Sequence, residues 1–424
     1  MMKVTVTAPI PEGKIKAIAS KSAAHRALIC AAFGNKSTNI VCEEINDDIS
    51  ATVRCLCALG AKITRKETSF VVLPIRTVKQ NAVLDCGESG STLRFLLPIV
   101  SALGCNPSFL MSGRLPERPL SPLAEELAAH GAVISKNEPD KLCVSGKISA
   151  GEYHIRGDVS SQFVSGLLFA LSLVDGESTL TIDGKIESEP YINMTLDTLY
   201  EFDAEPERAE NVFTITGRQK FNSPENLSVE GDWSNAAFAL SAGAIRKKSR
   251  VSVFGLDPDS SQGDRNIIET LVRFGADIRR KGDCFTVRGE KLYGIKIDAT
   301  NIPDLVPVLA VVACAAEGQT IISGAARLKI KESDRLATIT NVLSTLGADI
   351  TVTDDGLIIN GGRALSGGVV SSHNDHRIAM SAAVASLLCD SPVTITSAEA
   401  TSKSYPSFWE DIKALGFSIT KDEE

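Results

Sequence analysis

The sequence predicts an α/β fold of two domains, each built from three similar units, because two sequence patterns recur along the chain. The pattern Leu-x-x-x-Gly-Ala-x-Ile occupies residues 56–63, 127–134, 271–278 and 343–350, and degraded copies occupy 199–205 and 412–419. The marker glycines, with Asp203 in their place in the third copy, are 71, 72, 72, 72 and 69 residues apart. Repetition at a fixed period indicates repeated structural units, so six copies predict six similar pieces.

A second series of strongly apolar segments confirms the period. These segments occupy residues 22–33, 91–103, 161–174, 234–245, 304–317 and 376–389. They are apolar on nearly every helical face, which is typical of buried helices. The glycine of the first pattern marks the end of another helix, and the β-branched residues after it favour a strand. Alternating runs at 4–7, 180–183 and 285–288 also predict strands, so each unit should contain two helices and several strands.

The chain length of 424 residues is sufficient for two domains of three units each. From residue 376 onward the sixth unit has only 49 residues, some twenty fewer than the others. The strand pattern near the N-terminus matches the missing length and is predicted to complete that unit; a truncated terminal repeat is the alternative. The predicted domains are therefore residues 20–229, and residues 1–19 together with 230–424.

Bulk composition excludes several classes of function. No apolar run approaches the length of a membrane span, and no signal peptide is visible, so the chain is expected to be cytoplasmic without membrane contact. The net charge of −8 and the two tryptophans argue against nucleic-acid binding. The ten cysteines are scattered, and His373 and His376 have no completing ligands, so neither a metal nor another cofactor is expected.

Charged side chains gather at the predicted helix starts. The free N–H groups and positive dipole of a helix start favour phosphate or carboxylate, whereas a cation there opposes the dipole. Several units nevertheless carry such cations, which suggests that they converge on an anionic ligand: Lys21, Arg26, Arg94, Arg118, Arg335, Arg377 and Lys403. The alternative is structural ion pairing with Glu117, Glu332, Asp334 and Asp375.

Other polar residues near helix starts have simpler interpretations. Helix capping accounts for the serines and aspartates at Ser22, Ser91, Ser234, Ser404, Asp232, Asp264 and Asp375. His25 lies on an apolar helix and is expected to be a hydrogen-bonded core residue. Asp304 and Glu332 lie near predicted cations and can serve as a base and an acid, although a cap and an ion pair would also explain them.

Eight motifs, in order along the chain, resemble one family. They are SKSAAHRALICAA, GESGSTLR, ERPL, SSQF, GDWS, KESDRL, NDHRIAM and TSKSYP. Together they are similar to the 5-enolpyruvylshikimate-3-phosphate synthase family of enolpyruvyl transferases over essentially the whole chain. The resemblance implies two domains of three βαβαββ units with helices packed inward, an inside-out α/β barrel that closes over its substrates. It also implies a monomer.

The resemblance further implies two substrate sets and a mechanism. Shikimate 3-phosphate should bind Lys21, Ser22, Arg26, Ser160, Ser161, Gln162, Ser188, Asp304 and Lys331. Phosphoenolpyruvate should bind Lys21, Gly90, Arg118, Gln162, Arg335, Arg377 and Lys403, with Arg94 behind the site. In the family, the 5-hydroxyl adds to C2 of phosphoenolpyruvate as C3 is protonated, and the tetrahedral intermediate loses phosphate. Asp304 would be the base at the hydroxyl, and Glu332 and Lys21 would exchange protons at C3.

Some positions depart from the family pattern, and three other functions remain as alternatives. Glu88 stands where many relatives have Asn, Glu189 stands where some relatives are basic, and Arg327 is assigned no role.

The related transferase acting on UDP-N-acetylglucosamine uses a loop Cys five residues before an Arg-Pro pair, where this chain has Gly113. A non-catalytic binder of a phosphorylated metabolite would not need Asp304 and Glu332, and a purely structural repeat protein would not concentrate cations at helix starts.

Overall fold

The computed structural model describes residues 2–7, 9–219 and 221–423. The chain divides into two compact units, each with its own hydrophobic core. We call Ala19–Val229 the continuous unit, and Met1–Ile18 with Glu230–Glu424 the split unit. The sequence-based boundary placed residue 19 with the N-terminal strand, whereas the structure groups it with the continuous unit.

The helices and strands of the continuous unit follow one pattern three times. Its first repeat contains α1 (Lys21–Ala32), β3 (Thr38–Val41), α2 (Asp47–Leu59), β4 (Lys62–Arg65) and β5 (Ser69–Leu73). The second contains β6 (Val83–Asp85), α3 (Gly90–Leu103), β7 (Ser108–Leu110), α4 (Leu123–Ala129), β8 (Ala132–Glu138) and β9 (Lys141–Gly146). The third contains β10 (Glu152–Arg156), α5 (Ser161–Leu173), β11 (Glu177–Asp183), α6 (Glu189–Glu201), β12 (Glu207–Ala209) and β13 (Val212–Thr216), and β14 (Asn226–Ser228) follows.

The split unit repeats the pattern three more times. It begins with β1 (Met2–Thr7) and β2 (Glu12–Lys16). Its fourth repeat contains α7 (Trp233–Ile245), β15 (Arg250–Phe254), α8 (Ile267–Phe274), β16 (Asp277–Lys281) and β17 (Cys284–Arg288). The fifth contains β18 (Lys296–Asp298), α9 (Val306–Ala315), β19 (Gly318–Ser323), α10 (Arg335–Thr345), β20 (Asp349–Val352) and β21 (Leu357–Gly361). The sixth contains β22 (Gly368–Ser371), α11 (His376–Ala385), β23 (Val393–Thr396), α12 (Phe408–Ala414) and β24 (Ser418–Glu423).

Each repeat folds around one four-stranded mixed sheet. In the second repeat the strand order is β6-β7-β9-β8, with β6 parallel to β7 and the other two pairs antiparallel. The same arrangement recurs as β10-β11-β13-β12 in the third repeat and as β18-β19-β21-β20 in the fifth. This order is the βαβαββ unit, so the fold class predicted from the sequence is confirmed.

Three sheets are completed by strands from elsewhere in the chain. β1 lies between β23 and β24, where it takes the place of the final strand of the sixth repeat. β2 pairs in parallel with β15 as the first strand of the fourth sheet, and β14 pairs in parallel with β3 as the first strand of the first sheet. The N-terminal segment therefore serves two sheets of the split unit.

The helices that open each repeat are buried, and the other helices end in left-handed turns. Nearly all residues of α3, α7 and α9 are buried, as their apolar composition predicts. The marker glycines have positive φ, for example 122° at Gly60 and 112° at Gly275. Asp203 takes the equivalent place with φ of 53°. This conformation suits glycine and is tolerated by Asp, which explains both the repeated glycine and its one substitute.

Several predicted helix ends and caps differ from the structure. Residues 304–317 begin with a 3₁₀ turn at Pro303–Leu305 before α9, and α11 gives way to a 3₁₀ turn at Ser386–Leu388. The predictions of caps at Ser22, Ser91 and Ser234 were wrong, because Ser20, Ser89 and Asp232 cap those helices two residues earlier. Ser404 and Asp264 are not caps either, whereas Asp232 and Asp375 are. Among the described residues, no helix is both long and apolar enough to cross a bilayer.

Candidate active site

In the continuous unit, the start of α1 carries a partly buried ion pair. The Ser20 hydroxyl accepts the N–H of Ala23 and so caps the helix. Lys21, the first helical residue, donates from Nζ to Asp48 Oδ2 over 2.8 Å, and the two side chains are only 15% and 13% exposed. A cation at a helix start is unfavourable by itself, and the Asp48 carboxylate compensates for it. Asp48 was missed by the sequence interpretation.

Arg26 lies one turn further along α1 and is buried. Its Nε donates to Thr195 Oγ1 over 2.8 Å, and its terminal nitrogens donate to the backbone oxygens of Ser22 and Tyr191 over 2.7 Å each. Ser165 Oγ on α5 lies 3.5 Å away. The guanidinium therefore joins α1, α5 and the first turn of α6, and it fixes the backbone around Ser22.

A second group surrounds the start of α3. Arg94 donates from Nη1 to Gln162 Oε1 over 3.2 Å, and Gln162 Nε2 donates to Ser91 Oγ over 2.8 Å. A methyl group built on Gly90 would lie 2.6 Å from Arg94 Nη1 and 2.8 Å from Arg118 Nη1. Two guanidinium groups thus approach the Gly90 backbone so closely that only glycine leaves their positions undisturbed. The start of α3 is therefore suited to binding an anion.

The remaining predicted residues of this unit lie at the starts of α5 and α6. Ser160 caps α5 by accepting the N–H of Gln162, and Ser161 follows as the first helical residue. Ser188 precedes α6 in the left-handed conformation, with φ of 54°, and is 3% exposed. Such backbone strain in a non-glycine residue is found preferentially at ligand-binding positions.

Two residues that depart from the family pattern, Glu88 and Glu189, lie against other side chains or backbone of this unit. Glu88 lies against Gly113: a methyl group built on Gly113 would lie 2.4 Å from both Cδ and Oε2 of Glu88. Glu189 at the start of α6 forms an ion pair with Arg208. The Glu189 charge is therefore balanced within the protein, and Glu88 requires a residue without a side chain at position 113.

In the split unit, Asp304 is the centre of a cationic cluster. Its Oδ1 accepts Arg335 Nη1 over 2.9 Å, and its Oδ2 accepts Arg377 Nη2 over 3.1 Å. Lys331 Nζ lies 3.7 Å from Oδ1, and the backbone oxygen of Asp304 accepts Arg377 Nη1 over 3.2 Å. The carboxylate is 16% exposed, which leaves it within reach of a ligand.

Arg335 connects this cluster to two further carboxylates. Its Nη2 donates to Glu332 Oε2 over 2.7 Å, and its Nε donates to Asp375 Oδ2 over 2.8 Å. Asp375 is fully buried and also accepts Ser333 Oγ and the N–H of Arg377, each over 2.9 Å. Glu332 retains 19% exposure, so Asp304 and Glu332 are the more accessible carboxylates of the cluster.

The last predicted cation, Lys403, is hydrogen-bonded to the segment that precedes Asp375. It ends a 3₁₀ turn at Ala398–Lys403, rather than starting a helix, and its Nζ donates to the Asn374 backbone oxygen over 2.7 Å. Asn374 immediately precedes Asp375, the cap of α11. The structure therefore brings together Asp304, Lys331, Glu332, Arg335 and Arg377 by direct contact, and Lys403 bonds the residue next to the cap of α11.

The charges of the cluster shift the pKa values of its members. Burial by itself raises the pKa of Asp304, but Arg377, Lys331 and Arg335 together hold it below the ordinary value. Burial lowers the pKa of Lys331 to about 8, against the opposing effect of Asp304. Nearby Asp264 is the opposite case, because burial and the Asp304 charge raise its pKa to about 7. Asp304 is thus ionised at neutral pH, whereas Asp264 keeps its proton to a higher pH than an ordinary carboxyl does.

Sequence reasoning missed Asp264 as a member of this neighbourhood. It lies in the 3₁₀ turn Gly263–Asn266, is 1% exposed, and accepts a hydrogen bond from Ser234 Oγ. The only available signal was its position in the Gln-Gly-Asp segment between two predicted elements. Its buried carboxyl contributes to the electrostatic environment of Asp304. Within the described part of the chain, no group of three or more His, Cys, Asp or Glu residues could hold a metal ion.

Comparisons with known proteins agree on one family. A model of the family described as EPSP synthase (3-phosphoshikimate 1-carboxyvinyltransferase) matches residues 7–412. A 3-phosphoshikimate 1-carboxyvinyltransferase from Clostridium kluyveri is 42% identical over 429 residues, covering 99% of this chain and 98% of that protein. The EPSP synthase structure from Acinetobacter baumannii has a TM-score of 0.83 at 26% identity, with full coverage of both chains. The enolpyruvyl transferase NikO from Streptomyces tendae, at 18% identity and a TM-score of 0.79, covers 99% of this chain and 98% of its own and shares the fold.

Proposed function

The chain belongs to the EPSP synthase (3-phosphoshikimate 1-carboxyvinyltransferase) family, and we propose that its two groups of charged residues serve one enolpyruvyl transfer. The enzyme transfers the carboxyvinyl group of phosphoenolpyruvate to shikimate 3-phosphate and releases phosphate, a step of the shikimate pathway to chorismate and the aromatic amino acids. Transfer to UDP-N-acetylglucosamine is not favoured, and Gly113 lacks the thiol of that related enzyme.

We call the two groups the continuous-unit set and the split-unit set. The continuous-unit set is Lys21, Ser22, Arg26, Gly90, Arg118, Ser160, Ser161, Gln162 and Ser188. The split-unit set is Asp304, Lys331, Glu332, Arg335, Arg377 and Lys403. We propose that both sets act on the same two substrates, which requires the two compact units to function as the two domains of one enzyme.

The phosphoenolpyruvate anion is proposed to bind Lys21, Gly90, Arg118 and Gln162 from one set, and Arg335, Arg377 and Lys403 from the other. The approach of Arg94 and Arg118 to Gly90 supports the first part, because an anion there could accept bonds from backbone and guanidinium groups together. The single observation that carries the proposal is the meeting of Arg335 and Arg377 on Asp304.

Shikimate 3-phosphate is proposed to bind Lys21, Ser22, Arg26, Ser160, Ser161, Gln162 and Ser188, together with Asp304 and Lys331. Arg26 would act partly through the protein, since its donors hold the backbone oxygens of Ser22 and Tyr191. The strained Ser188 at the start of α6 and the paired hydroxyls at the start of α5 offer short donors to a phosphate.

Asp304 is proposed as the base that removes the proton from the 5-hydroxyl of shikimate 3-phosphate. Its depressed pKa makes it a weak base in the free enzyme, because Arg377, Lys331 and Arg335 stabilise its charge. Anionic substrates would share those cations and so raise the pKa of Asp304 when both are bound. Asp304 would thereby become an effective base only in the complex with both substrates.

Glu332 and Lys21 are proposed to exchange the proton at C3 of phosphoenolpyruvate. Protonation at C3 accompanies addition of the hydroxyl at C2, and loss of the same kind of proton accompanies departure of phosphate from the tetrahedral intermediate. Glu332 remains accessible and is oriented by Arg335, and Lys21 is oriented by Asp48. The surrounding cations would stabilise charge that develops on the phosphate and carboxylate groups.

The proposal is tested by following phosphate release from phosphoenolpyruvate with the purified protein. Release that requires shikimate 3-phosphate is the expected result. Release with UDP-N-acetylglucosamine instead, or no release with either acceptor, would contradict the proposal. We further propose a cytoplasmic location, which the ten free cysteines support. We also propose a monomer, and light scattering after size-exclusion chromatography would measure its molecular mass.

A further inference from the structure

Four buried polar side chains form a continuous hydrogen-bonded series beneath the start of α3. His25 Nδ1 lies 2.7 Å from Thr52 Oγ1, and Thr52 Oγ1 lies 2.7 Å from Thr92 Oγ1. Thr92 Oγ1 donates to Ser89 Oγ over 2.8 Å. All four residues are at most 1% exposed. We call His25, Thr52, Thr92 and Ser89 the hydroxyl network.

The hydrogen bonds of the network run in one direction. Because Thr92 uses its only hydroxyl proton toward Ser89, Thr52 must donate to Thr92 and accept from His25. His25 is therefore the Nδ1–H tautomer, and its Nε2 has no hydrogen-bond partner among the described residues. Burial, with Lys21 and Arg26 nearby, lowers the pKa of His25 well below its ordinary value, which keeps the ring neutral.

The network ends at the cap of α3. Ser89 Oγ accepts both the N–H of Thr92, over 3.3 Å, and its hydroxyl. A cap of this kind satisfies one N–H and leaves those of Gly90 and Ser91, the first two helical residues, directed away from the helix. The orientation of those N–H groups therefore depends on how firmly Ser89 is held.

The other end of the network lies on the helix that carries Lys21. His25 is one turn from Lys21 on α1, and Thr52 is one turn from Asp48 on α2. The backbone oxygen of Asp48 lies 3.5 Å from Thr92 Oγ1, and its carboxylate holds Lys21. The network thus connects the start of α1, the start of α2 and the cap of α3 within the continuous unit.

We propose that the hydroxyl network is a positioning element for the phosphoenolpyruvate subsite, holding the Gly90 backbone at a fixed place relative to Lys21. The inference rests on the proposed function, because both residues are assigned there to phosphoenolpyruvate. Thr52 occupies the middle of the network, where its hydroxyl is bonded to His25 and Thr92. Valine has nearly the same shape as threonine, so replacing Thr52 with valine removes the hydroxyl and leaves its space filled.

The test compares Thr52→Val, which removes the hydroxyl, with Thr52→Ser, which keeps it. Loss of the two buried hydrogen bonds of the Thr52 hydroxyl should raise the KM for phosphoenolpyruvate about three- to tenfold, with the KM for shikimate 3-phosphate changed by less than about twofold. Thr52→Ser should restore the KM for phosphoenolpyruvate to within about twofold of the unmodified enzyme. Thr92→Val and Thr92→Ser provide a second pair with the same expected difference.

The matched control is Thr198→Val, because Thr198 is a buried helical threonine that bonds only the preceding turn of α6. It should leave both KM values unchanged. Equal increases in both KM values, an unchanged KM for phosphoenolpyruvate in Thr52→Val, or failure of both valine variants to fold would overturn the inference. Absence of turnover in the unmodified protein would instead contradict the proposed function and remove the premise of the inference.

Discussion

The Nε of Arg335 donates to Asp375 Oδ2 over 2.8 Å, and the two side chains are 2% and 0% exposed. Asp375 also caps α11 through the N–H of Arg377 and accepts the Ser333 hydroxyl. One buried carboxylate therefore fixes the guanidinium of Arg335 and the backbone that carries Arg377. The orientation of both arginines toward Asp304 depends on a residue that no solvent reaches.

Replacing Asp375 with asparagine should destabilise the protein strongly. The change leaves the Arg335 charge buried with one carboxylate fewer, and breaking a buried pair in this way costs about 3–5 kcal/mol of unfolding free energy. Urea-induced unfolding would measure the loss. The control is Asp158→Asn at the exposed pair with Arg156, which should change the unfolding free energy very little. Equal stability of both variants would show that Asp375 is dispensable.

The variants Asp304→Ala and Glu332→Ala should lower turnover far more than substrate binding. Loss of a general base or acid typically lowers kcat about 10²–10⁴-fold, whereas the cations that hold the substrates remain in both variants. Steady-state kinetics and calorimetric titration separate the two effects. Asp354→Ala, an exposed carboxylate in the same unit, should behave like the unmodified enzyme. A near-normal kcat in both variants would remove these carboxylates from the chemistry.

Alanine at Gly90 should weaken phosphoenolpyruvate binding without unfolding the protein. The added methyl group would meet Arg94 Nη1 at 2.6 Å and Arg118 Nη1 at 2.8 Å, and these flexible side chains can move aside. Their displacement from the anion should raise the KM for phosphoenolpyruvate about tenfold or more. Thermal unfolding should show little change. Gly151→Ala, where the methyl group meets His130 at an ordinary 3.4 Å, is the control and should leave the KM unaltered.

Asp264 should make stability depend on pH in a direction opposite to that of Asp304. Its folded-state pKa of about 7 exceeds the ordinary value of 3.8, so the folded protein keeps a proton that the unfolded chain has lost. Stability from this group is complete below 3.8 and is lost as the pH rises toward about 7. The unfolding free energy of Asp264→Asn, measured by urea titration between pH 4 and pH 8, should increase relative to that of the unmodified protein as the pH rises.

A companion variant separates this pH effect from general destabilisation. Ser234 donates a hydrogen bond that favours the ionised form of Asp264, so Ser234→Ala should move the loss of stability to higher pH. A difference between Asp264→Asn and the unmodified protein that does not vary with pH would contradict the raised pKa. A shift of the Ser234→Ala profile to lower pH would contradict the role of the hydrogen bond.

The repeat pattern located the end of a helix even where its marker residue was absent. Asp203 was placed in the series of glycines by spacing alone, and it adopts the same left-handed conformation, with φ of 53°. The requirement is local, because each helix must turn sharply into the following strand. A local requirement of this kind restricts which residue types can occupy the position, so six units could be counted from the sequence.

Other features depend on contacts between distant segments and could not be predicted. β14 has three residues, Asn226–Ser228, and nothing in their order identifies β3 as the partner. The caps of α1 and α3 were assigned two residues late because Ser20 and Ser22, like Ser89 and Ser91, are alternative hydroxyls before the same apolar helix. Only the backbone path decides which hydroxyl reaches the free N–H.

The candidate site was predictable by residue type but not by partner. Cations near helix starts indicated an anionic ligand, and the structure groups four other predicted residues around Asp304, namely Lys331, Glu332, Arg335 and Arg377. The ion pairing of Arg335 with Glu332 and Asp375 was among the alternatives drawn from the sequence, but other internal partners of the cations were not visible there. Asp48 for Lys21 and Thr195 for Arg26 lie 27 and 169 residues away along the chain, so the fold alone brings them together.

The position of β1 between β23 and β24 has a consequence for biosynthesis. A ribosome produces β1 long before β23 and β24, so the sheet that contains all three cannot form until β24 has been made. The continuous unit carries every strand of its three sheets within Ala19–Val229 and can assemble while the remainder is still being made. β1 must therefore remain without its final neighbours while the whole continuous unit and most of the split unit are synthesised.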